Sequence, residues 1–254
     1  MKALWLIAAL AATPQADPPA STDAAAATPA ADSAAAATPP PPARYDLRSA
    51  HAASGDALAG KGKSEVCAAC HGGDGIAITP AFPNLAGQKE AYLYWALHAY
   101  KSGRMPESPM TAMAAPLEEQ DIRDLSAYYA SLPVPPPAAD APPVELDPAL
   151  LSQGQAIYRN GDTRKGIPPC QGCHGVDGRG NPQAGFVDRS GRMPYAAYPA
   201  LRGQQNDYLQ TRLQQFHDDA IDASSNSRVM HGIGQRLDAD SIKAVSTWLS
   251  SLKQ

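Results

Sequence analysis

The chain has 254 residues and a formal net charge of −4, with 21 Lys and Arg side chains set against 25 Asp and Glu. The basic residues form no stripe, so the composition gives no support to nucleic-acid binding. The length allows more than one small domain.

The amino terminus has the pattern of an export signal. Lys2 precedes an apolar run, Ala3 to Ala12, that is about as long as a signal-peptide core and too short to span a bilayer as a helix. We place a signal peptide at residues 1–16, with an uncleaved membrane anchor as the alternative. Residues 17–43 are almost entirely Ala, Pro, Thr, Ser and Asp, which predicts a disordered leader. We therefore expect the protein in the periplasm.

Two copies of one short motif use all four cysteines. They are Cys67-Ala68-Ala69-Cys70-His71 and Cys170-Gln171-Gly172-Cys173-His174. Two thiols separated by two residues lie on one turn and can add to both vinyl groups of a porphyrin, while the adjoining histidine can ligate the iron. A disulfide, a thioredoxin-like redox pair or half of a zinc site requires no trailing histidine. The motifs therefore predict two covalently attached haem c groups.

Beyond these motifs the two halves repeat one another. The segment Pro83-Asn84-Leu85-Ala86-Gly87-Gln88 is matched by Pro199-Ala200-Leu201-Arg202-Gly203-Gln204, and Tyr92 and Tyr208 follow at equal distances. Apolar positions near the end of each half also match at helical intervals of three, four and three. These positions are Ile122, Leu125, Tyr129 and Leu132, and then Ile242, Val245, Leu249 and Leu252. The chain is thus a tandem duplication.

The sequence of each half predicts the order helix, haem loop, helix, methionine loop, helix. It contains no alternating pattern of the kind that indicates strands. We place the domains at residues 44–132 and 148–254, joined by a proline-rich linker at 133–147. Asp147 is a possible helix cap before Pro148, and acidic residues begin both closing helices, at Glu118 to Asp121 and at Asp238 to Asp240. The pattern predicts an all-α fold.

The second half contains two insertions. One is Arg159 to Pro169. The other lies between His174 and Pro199, which are 25 residues apart, whereas His71 and Pro83 are 12 residues apart. The longer insertion either covers a haem edge or binds a partner.

The sixth ligand of each iron separates an electron carrier from a haem enzyme with an open site. Met110 lies seven residues before Leu117, and Met230 lies seven before Leu237. This matched offset favours Met110 and Met230 as ligands, with Met105 and Met113 as rivals in the first half. His231 is the rival in the second half.

The remaining histidines, His51, His98 and His217, do not correspond between the repeats and are weaker candidates. The carbonyl groups of Pro83 and Pro199 could accept the Nδ1 protons of His71 and His174, which would fix the two rings.

The chain resembles the di-haem cytochrome c4 family. The resemblance rests on the Cys-x-x-Cys-His-Gly motifs, the two Pro-to-Gln segments and the segments from Met110 and Met230 to the following leucines, and it runs from about Ser54 to Leu252. It implies two tandem class I cytochrome c domains related by a pseudo-two-fold axis, with the haem propionates near their interface. It also implies that His71, Met110, His174 and Met230 are the iron ligands.

The resemblance further implies electron delivery in the periplasm from a quinol-oxidising complex or a dehydrogenase to a terminal oxidase, often of the cbb3 type. The alternatives are a di-haem enzyme, such as a peroxidase or a thiosulfate dehydrogenase, and a cytochrome subunit of a dehydrogenase complex. The long leader, the insertion before Pro199 and the proline-rich linker depart from the family pattern.

Overall fold

The computed structural model describes residues 44–51, 53–134 and 146–252, so the expected signal peptide, the leader and most of the linker lie outside the described residues. The described part contains one short 3₁₀ turn, Leu47–Ser49, and ten α-helices, with only two isolated β-bridges. Within these ranges, no helix has the length and apolar character needed to cross a membrane. The all-α prediction is confirmed.

The helices follow the predicted repeat. The first half contains α1 (Ala57–Lys63), α2 (Glu65–His71), α3 (Glu90–Lys101), α4 (Pro109–Ala114) and α5 (Glu119–Ser131), and the second contains α6 (Pro148–Asn160), α7 (Gln171–His174), α8 (Asn206–His217), α9 (Ser225–Gly234) and α10 (Ala239–Ser251). Asp147 caps α6 by accepting from the N–H of Ala149 at 2.8 Å, with Pro148 in the first turn, as expected.

The methionine segments are helices rather than the expected loops. In α9 the Ser224 hydroxyl accepts from the N–H of Ser227 at 3.1 Å, while the Ser227 hydroxyl accepts from the N–H of Ser224 at 2.8 Å. In α4 Pro109 occupies the first turn, and Thr111 accepts from the N–H of Ser108 at 3.3 Å. Reciprocal side-chain capping of this kind satisfies the free N–H groups at the start of a helix.

Each half is organised by the crossing of its first and last helices, α1 with α5 and α6 with α10. A glycine lies at each crossing. A Cβ atom at Gly60 would lie 2.0 Å from the carbonyl oxygen of Asp124, and one at Gly154 would lie 2.1 Å from that of Ala244. The backbones can therefore approach this closely only because no side chain intervenes.

Alanine at Gly60 should destabilise the first half by about 1–3 kcal/mol, because its methyl group forces the two helices apart. Gly62 lies on the same helix with no atom within 4 Å of a Cβ position, and it is the matched control. We expect Gly62→Ala to be neutral or stabilising by about 0.5–1 kcal/mol. Thermal unfolding of the two variants measures the difference. Equal melting temperatures would show that the crossing tolerates a methyl group.

A buried carboxylate also ties α1 to α5. Asp124, whose side chain is 3 % exposed, lies 2.7 Å from Lys63 Nζ and accepts from the backbone N–H of Asp56 at 2.8 Å. The hydrogen bond from Lys63, followed by that from Asp56, lowers the pKa of Asp124 to about 2. The folded state therefore favours the ionised form of this carboxyl group.

This lowered pKa predicts acid sensitivity. Because the folded pKa lies below the unfolded value of about 3.9, the stabilisation by Asp124 is complete above about pH 4 and is lost as the pH falls towards about 2. Asp124→Asn should therefore lower the urea midpoint at pH 6, and its difference from wild type should shrink over this acid range. Glu107→Gln, at an exposed carboxylate, is the control. A difference that stays constant with pH would contradict this assignment.

The first described segment, residues 44–51, lies against the second half of the chain. The N–H of Tyr45 donates to the carbonyl of Ala223 at 3.2 Å, and the N–H of Ser225 donates to the carbonyl of Tyr45 at 2.9 Å. Leu47 contributes its N–H to the Ser225 hydroxyl at 3.1 Å. The segment 44–51, which the sequence places in the first domain, thus links the two halves.

The long second-half insertion reaches the same segment. The N–H of Met193 donates to the carbonyl of Ala50 at 2.7 Å, and His51 Nδ1 lies 3.0 Å from the carbonyl oxygen of Gly191. Ala197, at the end of the insertion, is buried in a shared cluster with residues of both halves. This insertion therefore contacts the first half directly, a role that sequence analysis did not foresee.

Candidate haem sites

Both cysteine motifs lie at the ends of short helices. Cys67 and Cys70 lie on α2, while Cys170 precedes α7 and Cys173 lies within it. All four are free thiols of intermediate burial. Among the described residues, no group of three or more His, Cys, Asp or Glu side chains is placed to hold a metal ion, so the two pairs do not form a shared zinc site.

Burial raises the pKa of the Cys170 thiol to about 11, and it also raises the pKa values of Cys67 and Cys173. Redox-active Cys-x-x-Cys pairs have the opposite property, a lowered thiol pKa. Cys67, Cys170 and Cys173 therefore lack the lowered thiol pKa that is typical of a thioredoxin-like pair.

Each motif histidine is buried and held by a proline carbonyl. His71 is 5 % exposed and His174 is 7 % exposed. Their Nδ1 atoms lie 2.9 Å from the carbonyl oxygen of Pro83 and 3.0 Å from that of Pro199, as expected from the sequence. Burial lowers the pKa of both rings, which favours the neutral imidazole. A neutral ring that donates from Nδ1 leaves Nε2 as the atom able to bind iron.

The methionines differ in their surroundings. Met105 is 6 % exposed and belongs to a core cluster with Trp95 and Ile221, so its side chain is used in packing between the halves. Met113 is 36 % exposed. Met110 and Met230 are each partly buried on the short helices α4 and α9.

The other histidines have polar partners elsewhere. His98 Nε2 lies 2.9 Å from Glu119, and His217 Nδ1 lies 3.0 Å from Asp218. His231 Nδ1 lies 2.8 Å from the carbonyl oxygen of Phe216. The contact of His98 occupies its Nε2 atom. The contacts of His217 and His231 involve Nδ1 alone, so His231 stays the rival ligand in the second half.

Buried donors near the meeting of α3 and α8 fit a group that carries carboxylates. Arg212 donates to the Tyr100 hydroxyl at 2.8 Å and stacks on Tyr208 with its Cζ 5.1 Å from the ring centre. Its buried Nε and the buried Nε1 of Trp95 have no hydrogen-bond partner in the described part of the chain. Buried donors without partners cost free energy, and the carboxylates of haem propionates would accept hydrogen bonds from these two N–H groups.

Two glutamines join the halves reciprocally. Gln88 Oε1 accepts from the N–H of Ala200 at 2.8 Å, and its Nε2 donates to the Ala200 carbonyl at 2.9 Å. Gln204 makes the same pair of bonds with Asn84, at 2.7 and 3.0 Å. In the repeat Gln88 corresponds to Gln204 and Asn84 corresponds to Ala200, so these contacts follow the pseudo-two-fold axis. The repeat of these residues is visible in the sequence, whereas their pairing across the two halves is seen only in the structure.

Comparisons with known proteins agree with this geometry. The profile of the family described as Cytochrome c matches residues 52–133 and 151–253. Cytochrome c4 of Pseudomonas aeruginosa is 37 % identical over 203 residues, which cover 80 % of this chain and 91 % of that protein. The thiosulfate dehydrogenase electron acceptor of Thiomonas intermedia is 30 % identical over 186 residues, covering 73 % and 77 % of the respective chains.

The crystal structure of reduced recombinant cytochrome c4 from Pseudomonas stutzeri matches with a TM-score of 0.64 at 35 % identity, covering 78 % of this chain and 100 % of that chain. The family match spans both halves, and each half contains one complete cysteine and histidine motif. The chain belongs to the cytochrome c family and, within it, to the di-haem cytochrome c4 proteins, which transfer electrons through two covalently bound haem c groups.

Proposed function

We propose that this protein is a periplasmic electron carrier in which His71 and Met110 ligate one iron and His174 and Met230 ligate the other. The observation that carries this proposal is the buried histidine of each half, which donates from Nδ1 to a proline carbonyl and so presents Nε2. A partly buried methionine lies on a short helix after the middle helix of the same half. With a histidine and a methionine to hold each iron, neither iron would have an open site for a substrate.

The bound haem c supplies a one-electron change between ferric and ferrous iron. The chain supplies the surroundings of that change. A methionine sulfur favours the ferrous state and raises the potential, while a neutral histidine held by a carbonyl keeps the ring in one orientation. Burial of the motif histidines limits the water that must reorganise when the charge changes.

We further propose redox proteins as the partners. Electrons would arrive from a quinol-oxidising complex or a dehydrogenase and leave to a terminal oxidase, of the cbb3 type or another. The export pattern at residues 1–16 supports the periplasmic location. The relative named a thiosulfate dehydrogenase electron acceptor supports exchange of electrons between proteins rather than turnover of a substrate.

A second candidate function concerns the donor. The relative in Thiomonas intermedia is named a thiosulfate dehydrogenase electron acceptor, which favours a dehydrogenase of this kind as an electron source. In that case the protein would accept electrons released by thiosulfate oxidation, while the oxidation itself would occur in the partner enzyme.

Stopped-flow mixing tests these proposals. We expect the reduced protein to be reoxidised rapidly by membranes that contain a terminal oxidase, and the oxidised protein to be reduced by its donor. Parallel reactions with a quinol-oxidising complex and with a thiosulfate dehydrogenase plus thiosulfate identify the donor. Turnover of thiosulfate or peroxide by the protein alone would instead establish the di-haem enzyme.

A further inference from the structure

The contacts of Gln88 and Gln204 extend to the motif histidines. The Pro199–Ala200 peptide group accepts from His174 Nδ1 through its carbonyl, at 3.0 Å, and donates through its N–H to Gln88 Oε1, at 2.8 Å. The Pro83–Asn84 peptide group accepts from His71 at 2.9 Å and donates to Gln204 Oε1 at 2.7 Å. One peptide group therefore separates each histidine from a glutamine of the opposite half.

The orientation of both side-chain amides follows from their neighbours. Gln88 Oε1 also accepts from the N–H of Lys89, at 2.8 Å, and Gln204 Oε1 accepts from that of Gln205, at 2.9 Å. Two N–H groups thus point at each oxygen, and only an acceptor can occupy that position. Both glutamines are buried, at 7 % and 6 % exposure, so competition from water is slight.

Hydrogen bonds in such a chain polarise one another. When the peptide N–H donates to a glutamine oxygen, the carbonyl of the same peptide group gains negative charge and becomes a better acceptor. The ring N–H of the histidine is then held more strongly, which makes the ring more basic towards iron. A more basic ligand stabilises ferric iron and lowers the reduction potential.

We propose that Gln88 is a positioning residue for His174 and Gln204 is one for His71, so that each half tunes the reduction potential of the haem in the other half. This inference rests on the proposed ligation of iron by the two histidines. It predicts that a substitution in one half changes the haem of the opposite half.

The test compares Gln88→Met and Gln204→Met in the full-length di-haem protein. Potentials are measured by spectroelectrochemistry, and NMR assigns each haem through its thioether bonds to Cys67 and Cys70 or to Cys170 and Cys173. We expect Gln88→Met to raise the potential of the second haem only, and Gln204→Met to raise that of the first only. The ring N–H resonance of the corresponding histidine should move upfield in the ferrous protein, because its hydrogen bond weakens.

Gln205→Met is the matched control. Gln205 Nε2 also reaches the opposite half, lying 3.5 Å from the Ala77 carbonyl and 3.3 Å from Asn84 Oδ1, without contacting either peptide N–H. The same neutral exchange should therefore leave both potentials near wild type. Gln88→Glu, which keeps an oxygen for the Ala200 N–H, should not raise the potential of the second haem.

Equal shifts of both haems, a shift of the haem in the substituted half, or no shift would overturn the proposal. Should Gln88→Met fail to fold, Gln88→Asn must give the same result, since its shorter amide cannot reach Ala200. If the proposed ligation of iron by histidine and methionine is wrong, the wild-type protein itself will lack the spectrum of histidine–methionine haem. That outcome can be distinguished from a failure of the glutamine proposal.

Discussion

Replacing Met230 with alanine should abolish the weak far-red absorption band of one ferric haem and lower the potential of that haem, while the other haem keeps both properties. Met110→Ala should do the same for the first haem. The reason is that water, an anion or a nitrogen ligand would replace the sulfur, and these ligands stabilise ferric iron better than a thioether does. Visible spectra and redox titration measure the loss.

The rival ligands provide the controls. Met113 is 36 % exposed, and Met110 and Met230 share the same seven-residue offset from the following leucine, so neither Met113→Ala nor His231→Ala should remove the band. Loss of the first-haem band in Met113→Ala, with Met110→Ala unaffected, would transfer the assignment to Met113. The same result for His231→Ala would give the second haem two histidine ligands.

Removing both thiols of one motif should also affect one haem and spare the other. The double variant Cys170→Ala and Cys173→Ala should lose the covalent haem of the second half and much of the helical structure there, because haem forms a large part of the core of so small a domain. The first haem should remain bound. Acid–acetone extraction followed by intact-mass measurement should find one haem on the variant and two on the wild type.

Cys67→Ala with Cys70→Ala is the reciprocal variant and should lose the first haem instead. Recovery of free haem from the wild-type protein would show that the attachment is not covalent. A wild-type mass with one haem would show that one of the motifs is unused.

Sequence predicted best what depends on neighbours along the chain. The cysteine and histidine spacing, the cap at Asp147 and the helical intervals of α5 and α10 are local patterns, and the structure contains the corresponding helices. The bonds from His71 and His174 to proline carbonyls were also predictable, because both repeats place a proline after the motif.

Features that depend on tertiary contacts were not predicted. Gly60 and Gly154 are needed only because two helices cross at them, and that crossing has no local signal. Residues 44–51 lie against the second half through backbone hydrogen bonds, which any sequence can form. The matched positions of Gln88 and Gln204 in the repeat were the one available signal for the contact between the halves.

The methionine segments contain local signals for helices that a loop prediction does not take into account. Ser224 and Ser227 form a reciprocal cap at the start of α9, a pattern visible in the sequence. The segment in the first half is shorter, with Pro109 in the first turn of α4. Both features indicate helix starts, although the segments were expected to be loops.

Carbon monoxide binding tests the central claim, that both irons are closed to small substrates, most directly. The fully reduced protein is exposed to carbon monoxide at neutral pH, and its visible spectrum is followed over time. We predict little change at either haem, because on the proposed ligation a histidine and a methionine would hold each iron. Rapid carbon monoxide binding by one haem, together with turnover of peroxide or a sulfur anion in the absence of any protein partner, would contradict the electron-carrier account.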